Sequence, residues 1–139
     1  ARMQRRSRGP LVEVAGQAGL WLDGGHNPAG GEALAATLAG MAKKPTHLIC
    51  GMLNTKDVAG YMRPLAAQVQ SLTAIDILGE PNTLPAGETA RIAAETGIQA
   101  TTAPDAETAL RRILAESASA RVLICGSLYL AGHILRQNG

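Results

Sequence analysis

The 139-residue sequence is poor in aromatic side chains: it has no phenylalanine, one tryptophan and two tyrosines. A hydrophobic core must therefore be built from aliphatic side chains and alanine. Proteins that bind single-stranded nucleic acid without sequence preference stack the bases on several exposed aromatic rings. The scarcity of such rings, together with a net charge of only +2, argues against a nucleic-acid partner.

Cysteine is also scarce. Cys50 and Cys125 each end an apolar run, and they do not form a Cys-x-x-Cys pair. Two such thiols indicate neither a metal site nor a disulfide framework, so we expect buried, reduced side chains in a cytoplasmic protein. His26, His47 and His133 lack ligand spacing, and we predict that this chain holds no metal ion.

Long hydrophobic runs and phosphate-binding motifs are missing as well. No apolar run has the length of a membrane-spanning helix and no signal peptide is recognisable, so we expect no membrane partner. Neither Gly-x-Gly-x-x-Gly nor a Walker A sequence occurs. A hydrophobic content of 46% and a charged content of 17% are typical of a globular domain, which we expect to be monomeric.

Positive charge is concentrated at the start of the chain. Residues 1–8 contain no acid and four arginines, namely Arg2, Arg5, Arg6 and Arg8. Subtracting these four from the 13 basic residues leaves nine against 11 acidic residues, so the remainder carries −2. We predict a basic interdomain linker at residues 1–9, with Arg5, Arg6 and Arg8 in solvent, and one domain at residues 10–139. We also expect the chain to be a fragment of a longer protein.

The rest of the chain alternates apolar strands with helices. Strands are predicted at 20–22, 46–50, 72–78, 98–101 and 122–125, and helices at 28–42, 57 onward with an interruption at Pro64, 85–96, 106–116 and 128–136. This alternation predicts an α/β fold of Rossmann-like type, a mostly parallel sheet with helices on both faces. A further strand at residues 11–15 is expected to pair with the Trp21 strand and to form an antiparallel edge.

The most informative stretch runs from Leu20 to Pro28. Three apolar residues end at Asp23, two glycines follow, and Asn27 and Pro28 are suited to the N-cap and first position of a helix. Ligands of open α/β sheets bind at the carboxyl ends of the strands, so Asp23 lies where a small-molecule site is expected. Its carboxylate could accept hydrogen bonds from both hydroxyls of a ribose, or it could cap the following helix.

The sequence from Asp23 to Pro28, Asp-Gly-Gly-His-Asn-Pro, resembles the Asp-Gly-Ala-His-Asn-Pro box of the ATP-dependent amide ligases of the Mur superfamily. The similarity is greatest to folylpolyglutamate and dihydrofolate synthases, and Gly25 replaces the usual alanine. The resemblance implies that Asp23, His26 and Asn27 bind the nucleoside part of ATP. From residue types alone, His26 could equally be an ordinary loop histidine, and Asn27 is more simply a helix cap.

Three further segments carry the same resemblance. Residues 1–4 resemble the segment that enters the C-terminal domain of these ligases, which implies that Arg2 contacts the ATP phosphates in a catalytic role. Residues 51–57 resemble a Lys-Asp loop, which implies that Lys56 faces the cleft. Residues 126–132 resemble a Gly-Ser-Leu-Tyr-Leu segment, which implies that Ser127 contacts the incoming glutamate, although a plain N-cap is an equal alternative.

The resemblance implies the C-terminal domain of a ligase that adds L-glutamate to folate or dihydropteroate through an acyl phosphate. ATP would be a substrate, and the triphosphate and Mg²⁺ would be held by a P-loop domain of the same protein that these residues lack. The isolated domain is therefore expected to be inactive. Two alternatives stay open: a Mur-type ligase for a cell-wall precursor, and a non-catalytic nucleotide-binding or regulatory module.

Overall fold

The computed structural model describes residues 3–6, 9–16 and 18–137, so Arg2 and Arg8 lie outside the described residues. In chain order the elements are β1 (Gln4–Arg5), α1 (Pro10–Ala15), β2 (Gly19–Leu22), α2 (Pro28–Ala39), β3 (Thr46–Cys50), α3 (Val58–Met62), a 3₁₀ helix (Arg63–Leu65), β4 (Ser71–Ala74), α4 (Ala86–Glu95), β5 (Ala100–Thr102), α5 (Ala106–Glu116), β6 (Arg121–Cys125) and α6 (Leu128–Gln137). None of the helices in these ranges is both long enough and apolar enough to cross a membrane.

The six strands within the described ranges form one sheet in the order β1-β2-β6-β3-β4-β5. All neighbours from β2 to β5 are parallel, and β1 pairs with β2 in the antiparallel direction. The last strand of the chain, β6, lies between β2 and β3 and is buried along its whole length. This arrangement confirms the predicted α/β class and the predicted antiparallel edge.

Side chains on alternate strand positions enter two separate cores, one on each face of the sheet. Ile49 and Ile124 point into the core that α1, α5 and α6 cover. Their chain neighbours Leu48 and Leu123 point into the core that α2, α3 and α4 cover. Because both faces carry a helical layer, the central strands contain successive apolar residues, from Leu20 to Leu22 in β2 and from Val122 to Cys125 in β6, as the sequence indicates.

The strand predicted at residues 11–15 is wrong, because this segment forms helix α1. Pro10 occupies the first turn of the helix, where its missing N–H has no cost. Leu11 and Ala15, four residues apart, are both buried on one face. The antiparallel edge is instead made by Gln4–Arg5, which lies inside the segment predicted as a linker.

Arg6 of this edge also differs from the expectation, whereas Arg5 is exposed as expected. Arg6 is half-buried, and its Nε is buried without a hydrogen-bond partner among the described residues. The exposed Arg5 guanidinium lies 5.9 Å from the centroid of the Trp21 ring, within the range of a cation–π contact. The prediction of solvated charge is therefore wrong for Arg6, and it lies outside the described residues for Arg8.

The interruption predicted at Pro64 is confirmed, since α3 gives way to the 3₁₀ helix there. The other element boundaries differ from the predictions by a few residues. Helix α2 ends at Ala39, where Gly40 is the C-cap. Strand β4 ends at Ala74, because the backbone N–H of Ile77 donates to Thr83 Oγ1 (2.9 Å) and leaves the sheet.

The contact of α2 with α3 depends on Gly31, which gives a first testable prediction. A Cβ on Gly31 would overlap the carbonyl oxygen of Tyr61 and lie 3.2 Å from Pro64 Cγ. We expect Gly31→Ala to lower the free energy of unfolding by about 1–3 kcal/mol, measured by urea denaturation. Gly87 of α4 is the matched control: a Cβ there meets nothing within 4 Å, so Gly87→Ala should raise stability by about 0.5–1 kcal/mol. Equal midpoints for the two variants would contradict the packing argument.

Candidate functional site at the carboxyl edge of the sheet

Three neighbouring strands end side by side and bring the predicted site residues to one edge. The N–H of Asp23, after β2, donates to the carbonyl of Ile124 in β6 (3.0 Å). The N–H of Gly51, after β3, donates to the carbonyl of Cys125 (3.2 Å). The segments after β2, β6 and β3 therefore start at the same level, as expected for parallel strands.

Gly126 permits this close alignment. Its φ is 108°, a conformation that L side chains rarely adopt. A Cβ at this position would lie 2.6 Å from the carbonyl oxygen of Gly51 and 2.8 Å from Cys50 Sγ. Strand β6 can therefore turn into α6 against the end of β3 only with glycine at this position.

Asp23 is buried at this edge, with 6% of its surface exposed. Its Oδ2 accepts a hydrogen bond from the N–H of Gly25 (2.9 Å), two residues along the chain. The described residues supply no second donor to this carboxylate. Three of its four acceptor sites are thus left for a ligand or water.

The cap of α2 is Asn27, not Asp23. Asn27 has extended backbone angles, its Oδ1 accepts from the N–H of Gly30 (2.8 Å), and Pro28 follows as the first helical residue. The capping alternative for Asp23 is therefore excluded, and the capping alternative for Asn27 is confirmed. His26 lies half-buried between them, with Nδ1 3.4 Å from the carbonyl oxygen of Gly24.

Burial raises the pKa of Asp23 above its ordinary value of 3.8, and the hydrogen bond from Gly25 offsets part of this effect. Tyr61 of α3 lies near enough to Asp23 to feel its charge; it is fully buried, and its hydroxyl has no hydrogen-bond partner among the described residues. Burial also raises the pKa of Tyr61, so it stays neutral. Sequence reasoning missed this residue, because a tyrosine in a helix carries no local signal of burial.

The two cysteines lie beneath the same edge, side by side in β3 and β6. Both are free thiols and both are buried, as predicted. Hydrogen bonding with Cys125, together with burial, raises the pKa of Cys50. Such a thiol is protonated and inert at neutral pH.

The loop after β3 brings Lys56 to the same edge. Asp57 caps α3 through a hydrogen bond from the N–H of Gly60 to its Oδ1 (3.0 Å). A Cβ on Gly60 would lie 2.8 Å from Pro28 Cγ, so α3 begins directly beside the start of α2. Lys56 is half-buried and precedes this contact.

Ser127 follows Gly126 at the start of α6 and is 1% exposed. Its Oγ accepts from the N–H groups of Tyr129 (3.0 Å) and Leu130 (3.5 Å), which is the geometry of an N-cap. The capping alternative is thus realised. The hydroxyl proton is not used by these bonds and can still be donated to a ligand.

Two further residues of the sequence analysis, Arg2 and His47, are not among the residues described at this edge. Arg2 lies outside the described residues. His47 is at the opposite end of the sheet, where Nδ1 is 2.7 Å from Ser71 Oγ and burial lowers the pKa of the imidazole. Within the described ranges, no group of three or more His, Cys, Asp or Glu side chains could hold a metal ion.

The fold is that of a ligase domain. The family model of the Mur ligase, glutamate ligase domain, matches residues 2–128, and the chain belongs to this family. The folylpolyglutamate synthase of Lacticaseibacillus casei is 28% identical over 138 residues, which cover 96% of this chain and 28% of that protein. The resemblance predicted from the sequence motifs is confirmed.

Solved structures of folylpolyglutamate synthases contain a domain of the same fold. Mycobacterium tuberculosis folylpolyglutamate synthase complexed with ADP is 27% identical, with a TM-score of 0.79 over 96% of this chain and 33% of that protein. A bifunctional folylpolyglutamate synthase/dihydrofolate synthase with Mn, AMPPNP and L-glutamate bound is also 27% identical, with a TM-score of 0.71 over 96% of this chain and 30% of that protein. The chain therefore spans about a third or less of the length of these relatives.

The raised pKa of Asp23 gives a second prediction. Between 3.8 and the raised value, the folded state binds more protons than the unfolded state, so stability falls as the pH rises through this window. At pH 7 the ionised carboxylate therefore costs stability. We expect Asp23→Asn, whose amide oxygen can still accept from Gly25, to raise the melting temperature at pH 7. The gain over wild type should shrink toward pH 3.

Asp105 is the control, because its pKa is shifted in the opposite direction to that of Asp23. It caps α5 by accepting from the N–H of Thr108 (2.7 Å), and this bond lowers its pKa below the ordinary value of 3.8. The ionised Asp105 carboxylate raises the free energy of unfolding above pH 3.8, and this contribution is lost as the pH falls through the lowered pKa. Asp105→Asn should therefore lower the melting temperature at pH 7, with a smaller deficit in acid. Parallel pH profiles for the two variants would show that burial does not raise the pKa of Asp23.

Proposed function

We propose that this chain is the C-terminal domain of an ATP-dependent ligase that joins L-glutamate to the carboxylate of a folate or of dihydropteroate. ATP would phosphorylate that carboxylate, and the amino group of glutamate would then attack the acyl phosphate and release phosphate. The proposal rests above all on the buried Asp23 carboxylate, whose acceptor sites are mostly unused. The relatives support it, since one is complexed with ADP and another holds a nucleotide analogue and L-glutamate.

Asp23 is proposed to bind the ribose of ATP. The hydrogen bond from Gly25 fixes Oδ2 at the end of β2, and capping of α2 is done by Asn27. A carboxylate held in this way can accept from two vicinal hydroxyls at once. His26, the next polar side chain of the loop, would lie at the nucleoside, and Asn27 would orient the loop through the cap.

Ser127 and Lys56 are proposed to serve the incoming glutamate. The Ser127 Oγ is oriented by the first N–H groups of α6, so its proton is free for a carboxylate oxygen. Lys56 would add a positive charge at the same edge. N–H groups at the start of a helix favour an anion in the same way.

The triphosphate and the divalent ion are assigned to a P-loop domain of the same protein. The described residues offer no cluster that fits the metal, and the sequence contains no phosphate loop. Arg2 would reach the phosphates from this chain, where a guanidinium stabilises charge that grows during transfer. Closure of the two domains would exclude water from the hydrolysable acyl phosphate. A cytoplasmic location and a monomeric state are part of the proposal.

The alternatives are less well supported. A ligase for a cell-wall precursor would share the fold, but the relatives named above are folylpolyglutamate and dihydrofolate synthases. A non-catalytic nucleotide-binding module would not need the segment from Gly126 to Gly132, which resembles that of the folate ligases.

The division of labour between the domains gives a third prediction. We expect the isolated 139-residue chain to hydrolyse no ATP and to ligate no glutamate, because it has no phosphate loop. Release of phosphate and incorporation of labelled glutamate, with dihydropteroate and tetrahydrofolate as acceptors, measure the two activities. The full-length enzyme is the positive control. Metal-dependent ligation by the isolated chain at a comparable rate would refute the proposal.

The role of Asp23 gives the fourth prediction. In the full-length enzyme, Asp23→Asn should weaken the apparent affinity for ATP by roughly ten-fold or more, since a hydrogen bond to a charged group contributes ~1.5–3 kcal/mol. For 2′,3′-dideoxy-ATP the same variant should lose much less affinity, because this analogue has no ribose hydroxyls to contact. Titration calorimetry with both nucleotides measures the difference.

Asp57→Asn is the matched control, because Asp57 is a helix cap at the same edge. Asparagine caps nearly as well as aspartate, so this variant should bind both nucleotides like wild type. Equal losses for ATP and the dideoxy analogue in Asp23→Asn would show that Asp23 does not contact the ribose.

A further inference from the structure

A cavity lies at the opposite edge of the sheet, where β3 and β6 begin. It has a volume of about 460 Å³ and lies between the end of α2, the loop before β3 and the segment after the 3₁₀ helix. Strand β6 separates it from the edge described above by four residue steps, about 13 Å. A cavity of this size can hold a small organic molecule.

A buried charged group of this cavity is Arg121, the first residue of β6. The side chain lines the cavity, yet only 6% of the residue is exposed. Its Nη1 donates to Thr46 Oγ1 (3.2 Å) and its Nη2 donates to the carbonyl of Ala42 (2.9 Å). A guanidinium has five N–H groups, so three of them have no acceptor among the described residues.

No carboxylate of the described residues forms an ion pair with Arg121. A buried charge without a counter-charge is costly, and its neutral acceptors offset only part of that cost. Fork-shaped guanidinium groups bind carboxylates and phosphates through two parallel hydrogen bonds. The unpaired cation therefore favours an oxyanion in the cavity.

The rest of the lining is suited to the same kind of ligand. Lys43 and Lys44 are exposed at the rim and add positive charge. Leu38 is buried and Met41 and Val69 are half-buried, so they give the cavity an apolar wall. A ligand with a charged head and a short apolar body would satisfy both parts of the lining.

We propose that this cavity is a binding site for a small organic oxyanion, with its carboxylate or phosphate head on Arg121 and its apolar body against Leu38, Met41 and Val69. The site is independent of the proposed ligase function, because it uses no residue of the carboxyl edge. The alternative is purely structural: Arg121 would only hold the turn before β3 through Ala42 and Thr46. The two differ in whether the stability of the chain responds to anions.

Calorimetric titration of the 139-residue chain at constant ionic strength tests the proposal. The probes are acetate and hexanoate for a carboxylate head, and inorganic phosphate and butyl phosphate for a phosphate head. We expect one longer probe to bind at least three-fold more tightly than its short partner, and the preferred pair identifies the head group. The melting temperature should rise with the concentration of that probe. Amide shifts in NMR spectra should change around residues 38–46, 67–70 and 121.

Substitutions in the lining test whether the probe binds in this cavity. Arg121→Gln should weaken the affinity for the preferred probe by about ten-fold or more. If this variant fails to fold, Lys43→Gln/Lys44→Gln leaves the bonds of Arg121 intact and should still weaken affinity by about three-fold. Arg111→Gln is the control, since Arg111 is exposed on α5 on the other face of the sheet and should bind like wild type. Absence of binding at probe concentrations up to roughly 10 mM, or undiminished binding in both cavity variants, would overturn the proposal.

Discussion

The contact between Gly126 and the backbone of Gly51 is the constraint on which the functional edge depends. With no Cβ at Gly126, strands β6 and β3 end at the same level and the chain enters α6 at once. Strand β2 is joined to this level through the bond from the Asp23 N–H to Ile124. Backbone hydrogen bonds therefore fix the positions of Asp23 and Ser127 relative to each other. A site held by a buried sheet is more rigid than one held by loops alone.

At this edge, the residues that cap helices differ from the residue that is free to bind a ligand. Asn27 and Asp57 satisfy the first N–H groups of α2 and α3, so no helix requires the carboxylate of Asp23. Ser127 combines the two duties, because its oxygen accepts from α6 while its proton stays available. A buried polar side chain that caps no helix and lowers the stability of the fold is typical of functional sites.

Local features of this chain could be predicted from the sequence, and long-range features could not. Asn27, Asp57 and Asp105 each accept from the N–H three residues further on, so short-range chemistry is sufficient to predict all three caps. The segment at residues 11–15 shows the limit of periodicity: five residues cannot distinguish a strand from one turn of helix, and only Pro10 pointed to the helix. The surroundings of Arg121 depend on Thr46 and Ala42, 75 and 79 residues earlier. Pattern and spacing give no access to such contacts, or to the strand order.

Stability and ligand binding are coupled at Asp23 by the same physical term. Burial removes most of the water from this carboxylate, and a single N–H from Gly25 replaces only part of the lost hydration. Two ribose hydroxyls would donate to the unused oxygen positions and recover the rest of that loss. In the proposed role, the free energy that the unliganded domain spends on keeping Asp23 ionised returns as affinity for the nucleotide. The ligand would then stabilise the domain most at the pH where the charged carboxylate destabilises it most.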